Sequence, residues 1–480
     1  MEIPMAPKTL GAVIQTILLS FAVVAVGLGF WQIAAAHTLT ENPELNGFRR
    51  IAQSERDVRG RILDREGQVL AETVTVAGKT TRRYQSPAAG PVTGYVSSKY
   101  GSVGVESVRD GILRGQSGQG FAGIADRVFK RPIRGGDVVT TIDRRVQDAA
   151  VAAFAGRTGA AVVIDPRNGE VLALVSSPFA DPNRIESDFE SLRSNAANPL
   201  FNRAISGLYV PGSVFKVVVY ATALADGVIT PSTQFEDPDG GIVVDRYRIP
   251  DPNHPGVPKF DAAHALSYSS NSAFASIGLK LGGGKLREGA RRFLFESEIP
   301  FELPIAVSTL STNPNALASP LGQATTAIGQ HQLLVTPFQM ALVAAAIANK
   351  GTMMRPNLLM ETRDSRGSII DHTEPRPLNQ VVSANVAQEV TQAMTLGVRE
   401  SWARTAALPG VAVAGKTGTA ETDADAIPHA WFIAFAPADA PRVAVAVVLE
   451  HAGGGSTQAG PVVKAILETA LRTNPIEVRR

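Results

Sequence analysis

The spacing of the apolar runs constrains this chain most. Two short runs, Ala160 to Ile164 and Val171 to Ser176, are joined through Asp165-Pro-Arg-Asn-Gly169, a turn of the hairpin kind. Three more, Val411 to Ala414, Ala430 to Phe435 and Val443 to Leu449, come only near the end. Helical patterns fill the interval and follow it: Ser213 to Ala225, Asn271 to Leu281, Thr336 to Asn349, Ala384 to Leu396 and Pro461 to Leu471. Two strands early, many helices and three strands late predict one sheet closed by both chain ends around an inserted helical lobe, a mixed α/β chain of the α+β kind. There is no internal repeat and no low-complexity tract.

The amino-terminal stretch sets the compartment. Lys8 is followed by no Asp, Glu, Lys or Arg until Glu41, and Leu10 to Ala36 is almost wholly apolar. At a rise of about 1.5 Å per residue that stretch exceeds the roughly 30 Å of a bilayer core, so residues 10–36 are expected to span the cell membrane once. Ala34-Ala35-Ala36 resembles a signal cleavage site, but the apolar part of a signal peptide runs only about 7 to 15 residues. Lys8 places residues 1–9 on the cytoplasmic side, against the pull of Arg49 and Arg50, and the rest of the chain outside. With no cysteine there is no disulfide, thiol nucleophile, thiolate metal site or lipidated cysteine. A net charge of +2, with no basic run or aromatic-interleaved basic patch, excludes a nucleic-acid partner.

Of the 480 residues 44% are apolar, enough for two or three domains with a large core. Arg59 to Ala71 reads as a hairpin about a turn at Arg65 to Gly67, and the stretch on to Arg134 has short apolar runs without a long helical period. Residues 37–135 are therefore expected to form a small mixed membrane-proximal domain. A change follows Gly135-Gly136, where Asp137 to Ile142 reads as a strand and Arg144 to Phe154 as a helix, so a second domain is expected over 136–480.

The chemistry concentrates at Tyr209-Val-Pro-Gly-Ser-Val-Phe-Lys216. Pro211 and Gly212 suit a helix start, which places Ser213 in the first turn, where unpaired N–H groups and the positive dipole end favour a developing negative charge. Lys216 lies three residues on, on the same helix face. A serine needs a base, and a lysine serves only if its pKa falls from roughly 10.4 towards 7, which burial and a second cation can bring about. No other lysine in the chain has a serine three residues before it, although Ser-x-x-Lys alone decides little.

Its company decides more. Ser269-Ser270-Asn271 precedes a helix and is flanked by apolar residues from Ala265 to Phe274; a cap is the plain reading of such a triplet. Ser311-Thr312-Asn313 in a polar loop and Ser383-Ala384-Asn385 at a helix start share its pattern but not its apolar setting. Gly410 with Gly415-Lys416-Thr417 satisfies the phosphate-loop spacing of a nucleotide hydrolase. That loop needs a strand before it and a helix after it, whereas Val411 to Ala414 is itself the strand and Glu421 to Pro428 has no helical pattern. Lys416 is expected at a strand end, where an ammonium, hydroxyls and backbone N–H groups can meet a carboxylate and an oxyanion. His254, His264 and His429 form no triad or metal site and read as surface or packing residues, and Lys285 after Gly282-Gly-Gly284 forms no phosphate loop. No cofactor or metal is expected.

With the three elements in this order, the chain resembles the class B penicillin-binding proteins, and its short length sets it beside the short actinobacterial members. Their three signatures have counterparts in Ser213-Val-Phe-Lys216, Ser269-Ser-Asn271 and Lys416-Thr-Gly418. The likeness extends to Gly136 to Asp143 with Gln147, Ile164 to Ala173, Asn202-Arg-Ala204, Gly329-Gln330 with Thr336-Pro337, and His429 to Ile433, while Arg59 to Ala71 and Gly104-Val-Glu106 resemble the class B pedestal. The resemblance implies a serine transpeptidase fold like that of β-lactamases, with an antiparallel five-stranded sheet covered by helices on both faces. It also implies a D,D-transpeptidase that cross-links peptidoglycan stem peptides ending in D-Ala-D-Ala, in division or elongation, and is acylated by β-lactams. Ser213 would be the nucleophile, Lys216 its base, Ser269 a proton relay and Asn271 the residue orienting Lys216 and the peptide amide. Lys416 would lower the Lys216 pKa, Thr417, Gly418 and Thr419 would line the strand that holds the terminal carboxylate, and the N–H groups of Ser213 and Thr419 would form the oxyanion hole. A membrane-embedded glycan polymerase and division or elongation proteins are the implied partners. A D,D-carboxypeptidase or a β-lactamase would share the fold; a class A β-lactamase would show Ser-Asp-Asn where this chain has Ser-Ser-Asn. A β-lactam sensor would carry a multi-span region, and an idle scaffold would not keep all three signatures.

Overall fold

In the computed structural model, described for residues 7–30, 58–76, 79–115, 134–236, 241–252, 256–313, 315–421 and 426–473, two units are distinct: the chain up to residue 57 and the chain from Val58 on. Residues 1–6, 31–57 and 253–255, with the C-terminal end of the expected anchor and His254, lie outside the described residues. In the first unit Pro7–Gly29 forms a helix, α1, whose Gly11–Gly29 portion is long and apolar enough to cross a membrane and exposes its large side chains, Leu18, Phe21 and Val26 among them.

In chain order the second unit uses strands β1 (Ile62–Leu63), β2 (Val69–Val76), β3 (Lys79–Tyr84) and β4 (Val138–Thr140), helix α2 (Arg144–Phe154), and strands β5 (Gly159–Ile164) and β6 (Val171–Ser177). Helices α3 (Lys216–Ala225), α4 (Ala262–Tyr268), α5 (Asn271–Arg292) and α6 (Pro337–Ala348) follow, then β7 (Leu359–Arg363), β8 (Ile369–His372), α7 (Ala384–Glu400), β9 (Ala414–Ala420), β10 (His429–Ala436), β11 (Val443–Leu449) and α8 (Gly455–Thr473). Strands β5, β6, β9, β10 and β11 form the expected five-stranded sheet, in the order β9-β10-β11-β5-β6, with every pairing antiparallel.

Both faces of this sheet are covered, which is why its strands read as continuous apolar runs. Ala160, Val162, Ile164, Trp431, Ile433, Phe435, Ala444 and Ala446 turn to one core with α3, α5 and α6. Their neighbours Ala161, Val163, Phe432, Ala434, Val443 and Val445 turn to a second core with α2 and α8. The period of two that places alternate side chains on opposite faces thus splits each run between two cores.

One expected strand begins elsewhere. Val411 to Ala414 does not form the strand; β9 starts at Ala414 and runs through Lys416, Thr417 and Gly418 to Ala420. Lys416 accordingly sits within the strand and not at its end. The apolar pattern fails there because β9 crosses large side chains: a Cβ at Gly415 would lie 2.8 Å from the Phe432 ring, and one at Gly418 3.0 Å from Trp431 Cβ.

A second sheet, in the order β8-β7-β4-β1-β2-β3, lies across the expected domain boundary. The Arg59 to Ala71 hairpin is present, pairing Ile62 with Ala71, but β4 joins β1 in parallel and β7 joins β4, so residues 138–140 and 359–372 complete this second sheet. Gly135-Gly136 is a close backbone crossing within it. Gly135 N–H donates to Val58 O at 2.8 Å and Gly136 N–H to Ile112 O at 2.9 Å, and a Cβ at Gly135 would collide with the Leu113 carbonyl. Helix α5 turns out of helical geometry at Gly282 (φ +70°), next to the expected end at Leu281, and then continues to Arg292.

Candidate active site

Ser213 lies in a 3-10 turn, Gly212–Phe215, that leads directly into α3. The turn is brought there by backbone contact. Gly212 N–H donates to Gly329 O at 2.9 Å, and Gly212 (φ +56°) presses so closely on β9 that a Cβ would collide with the Thr419 carbonyl. Strand β9 is the sheet's edge, so one side of its backbone has no strand partner, and Thr419 is exposed there. The serine loop and the Lys416-Thr417-Gly418-Thr419 edge are therefore neighbours, although two hundred residues separate them in the chain.

Lys216 opens α3 and is fully buried. Its ammonium donates to Ser269 O at 2.7 Å, Asn271 Oδ1 at 2.6 Å and, at 3.4 Å, Ser269 Oγ. Among the described residues the Ser213 hydroxyl has no hydrogen bond. Burial pushes the Lys216 pKa down to about 7, while the charge of Asp251 works weakly the other way. Lys416, also buried, donates to Ser269 Oγ at 2.8 Å and Thr417 O at 2.9 Å. Its pKa is pushed well down, first by burial and then by the Lys216 charge. Burial is the first cause of both shifts, and the two ammonium groups, which share Ser269, repel one another.

The middle serine explains how Ser269 is left for the lysines. Ser269 takes a left-handed backbone (φ +63°) at the C-terminal end of α4, and Ser270, not Ser269, caps α5 by accepting from Ala273 N–H at 3.1 Å. Asn271 then points its carbonyl oxygen at Lys216 and its amide at Pro250 O, 2.8 Å away. Asp251 accepts from Ser270 Oγ at 2.7 Å and from Ser272 N–H at 2.9 Å, pinning both residues that flank Asn271. The competing triplets serve locally: Ser383 caps α7, and Ser311 Oγ donates to Asn313 O. His264 pairs with Asp261 at the start of α4, and the buried His429 accepts from His451 N–H, so neither joins the site.

Ser213, Lys216, Ser269, Asn271 and Lys416 are thus brought to one place beside Thr417, Gly418 and Thr419. Asp251 and Pro250 support the site without a sequence signal of their own, and Trp431, from the His429 to Ile433 stretch, supports it through its indole N–H, which donates to Val210 O at 3.0 Å. Among the described residues no group of three or more His, Asp or Glu side chains is placed to hold a metal ion.

Comparison with known proteins agrees with this geometry. A family model described as "Penicillin binding protein transpeptidase domain" matches residues 159–468, and one described as "Penicillin binding protein A dimerisation domain" matches 59–138. The chain is 37% identical over 437 residues to the peptidoglycan D,D-transpeptidase PbpA of Mycolicibacterium smegmatis, covering 85% of this chain and 88% of that protein. Its fold is similar to penicillin-binding protein A from M. tuberculosis in an imipenem acyl-enzyme complex, with a TM-score of 0.80, 36% identity and coverage of 87% and 99% of the two chains. It is also similar to the D,D-transpeptidase domain of a peptidoglycan glycosyltransferase from Eggerthella lenta, with a TM-score of 0.80, 33% identity and coverage of 88% and 100%.

Proposed function

The chain belongs to the penicillin-binding protein transpeptidase family, and from that premise we propose how its residues act. It is a peptidoglycan D,D-transpeptidase of cell-wall synthesis that works through an acyl-serine, and β-lactams are its covalent inhibitors. The observation that supports the assignment of roles is the meeting of two buried lysines at Ser269 behind the Ser213 turn.

Neutral Lys216 takes the Ser213 proton as Oγ attacks the carbonyl carbon between the last two D-alanines, forming the C–O bond. The oxyanion develops against the N–H groups of Ser213 and Thr419, where loss of one such donor typically costs about 100- to 1,000-fold. The C–N bond breaks, and the departing D-alanine takes that proton from Lys216 through Ser269, which leaves Lys216 neutral again. An amine of a neighbouring stem then attacks the acyl carbon and gives its proton to Lys216, which passes it to Ser213 Oγ as the ester C–O bond breaks, leaving a cross-link and the free serine. Asn271 orients Lys216 and the peptide amide, Lys416 holds Ser269, and Thr417 and Thr419 receive the terminal carboxylate along the β9 edge beside Gly418. A β-lactam carbonyl takes the same place.

The Gly11–Gly29 segment is a membrane anchor in this reading, with the catalytic part outside the cell and residues 1–9 in the cytoplasm; the part from residue 37 to 135, its sheet completed by residues 138–140 and 359–372, is the pedestal, and the rest from 136 on is the transpeptidase domain. A membrane-embedded glycan polymerase and division or elongation proteins are the proposed partners. The test uses the full chain in detergent with a fluorescent penicillin. A stable adduct that Ser213→Ala abolishes is the expected result, and stem pentapeptide with an acceptor amine then gives a cross-linked dimer. No adduct on folded protein overturns the acyl-serine; release of D-alanine with no dimer points to a carboxypeptidase, and rapid turnover of the drug to a β-lactamase.

A further inference from the structure

A charged network holds the first residue of the serine loop, and the chemistry above does not use it. Glu450, one residue past the end of β11, accepts through Oε1 from two donors: Arg203 Nε at 2.9 Å and the Tyr209 hydroxyl at 2.7 Å. Arg203 is buried, and its remaining nitrogens donate to the Asn198 and Ala197 carbonyls at 3.1 and 2.7 Å. Glu450 is therefore the counter-ion of a buried cation that has no other carboxylate partner among the described residues, and this fixes where its side chain lies.

Tyr209 begins the loop that ends in Ser213. Its backbone exchanges two hydrogen bonds with Val335, Val210 O accepts from the Trp431 indole, and Gly212 N–H donates to Gly329 O. All of these ties are between neutral groups. The Tyr209 hydroxyl alone is held by a charge-assisted bond, the stronger kind. The Tyr209 ring also packs edge-on against Trp431 and His429, with centroids 6.1 and 5.5 Å apart. Both aromatic partners stand on β10: Trp431 lies opposite Gly418 and His429 opposite Ala420. One side chain thus touches the loop carrying Ser213 and the strand that backs Thr419, the two halves of the proposed oxyanion hole.

We propose that Glu450, anchored by Arg203, is a positioning residue for acylation, holding Tyr209 so that Ser213 and the Gly418-Thr419 edge keep the spacing the oxyanion needs. The proposal rests on the acyl-serine reading above. Misplacement of reacting groups by about 1 Å costs on the order of 100-fold, so the loss of one tether gives a measurable rate effect without disturbing binding.

The experiment measures acylation by fluorescent penicillin in the full-length protein, separating the rate at saturating drug from the concentration that gives half of it, with melting temperatures recorded alongside. Tyr209→Phe keeps the ring and removes only the hydroxyl. It is expected to slow the saturated rate by about 10- to 100-fold with half-saturation and melting temperature little changed. Glu450→Gln, which keeps an acceptor, falls between wild type and Tyr209→Phe, and the double variant acylates no more slowly than Tyr209→Phe alone. Wild-type acylation rates in Tyr209→Phe overturn the proposal, as do losses that multiply in the double variant or that only follow a fall in melting temperature. Should Glu450→Gln not fold, because Arg203 loses its counter-ion, Tyr209→Phe alone decides. Failure of wild-type protein to be labelled at Ser213 is a distinct result that sinks the acyl-serine reading instead.

Discussion

The second sheet and the candidate active site both bury pairs of cations, and they treat them in opposite ways. Arg59 donates to Glu106 Oε2 at 2.5 Å and to Asp110 Oδ1 at 2.6 Å, and Arg82 donates to Glu106 Oε1 at 2.7 Å, so each guanidinium has a carboxylate. Burial pulls the Arg59 pKa down, but Glu106 and Asp110 outweigh it and the net shift is upward. Lys216 and Lys416 are buried as deeply and are given only neutral acceptors, Ser269, Asn271 and the Thr417 carbonyl. Their pKa values fall. Burial is common to both places, and the presence of a carboxylate within bonding distance decides whether the cation is a fixed strut or a base. The residue type follows suit: a guanidinium does not give up its proton in a protein, whereas a buried lysine does.

The largest expected effect comes from crossing that line. Lys216→Arg keeps the length and charge but supplies no neutral base, so acylation by a β-lactam should fall by about 100- to 10,000-fold, the usual contribution of a positioned base. Stopped-flow acylation rates test it; a variant within tenfold of wild type removes Lys216 from the role of base. Breaking the other cluster should do the reverse. Glu106→Gln leaves Arg59 and Arg82 short of their shared counter-charge inside the sheet and should cost about 3 to 5 kcal/mol of stability, as for other buried pairs deprived of one partner. Denaturant midpoints give this value. Acylation by the protein that remains folded should be unchanged, and a large rate effect would mean that the two regions are coupled.

The contrast was only half legible in the sequence. The five-stranded sheet could be read because strands buried on both faces are continuous apolar runs, and Ser213, Lys216 and Lys416, which the fold brings together, stood out because their motifs are short and local. The start of β9 could not, because Gly415 and Gly418 are required by Phe432 and Trp431 across the pair and carry no hydrophobic signal. The double glycine at 135–136 forms a backbone crossing, and residues 138–140 and 359–372 join the second sheet through pairings distant in the chain, which no local pattern announces. Asp251 and Glu450 escaped for the same reason. Each is an acidic residue in a loop, and its meaning lies in Ser270, Ser272, Arg203 and Tyr209, which arrive from elsewhere.

The smallest effect separates two origins of the lysine's basicity. Lys216 must be neutral to accept the Ser213 proton, so the acylation rate should rise with pH and level off above about 7, with pH 6 about tenfold below the plateau. If burial carries the shift, Lys416→Gln lowers the plateau by loosening Ser269 but leaves the midpoint where it was. If the Lys416 charge were holding the Lys216 pKa down, the same variant would move the midpoint up towards the ordinary lysine range. A midpoint that rises by more than about one unit would show that the site makes its base by repulsion between cations, and the contrast with the arginine cluster would then rest on charge of one sign rather than on the want of a carboxylate.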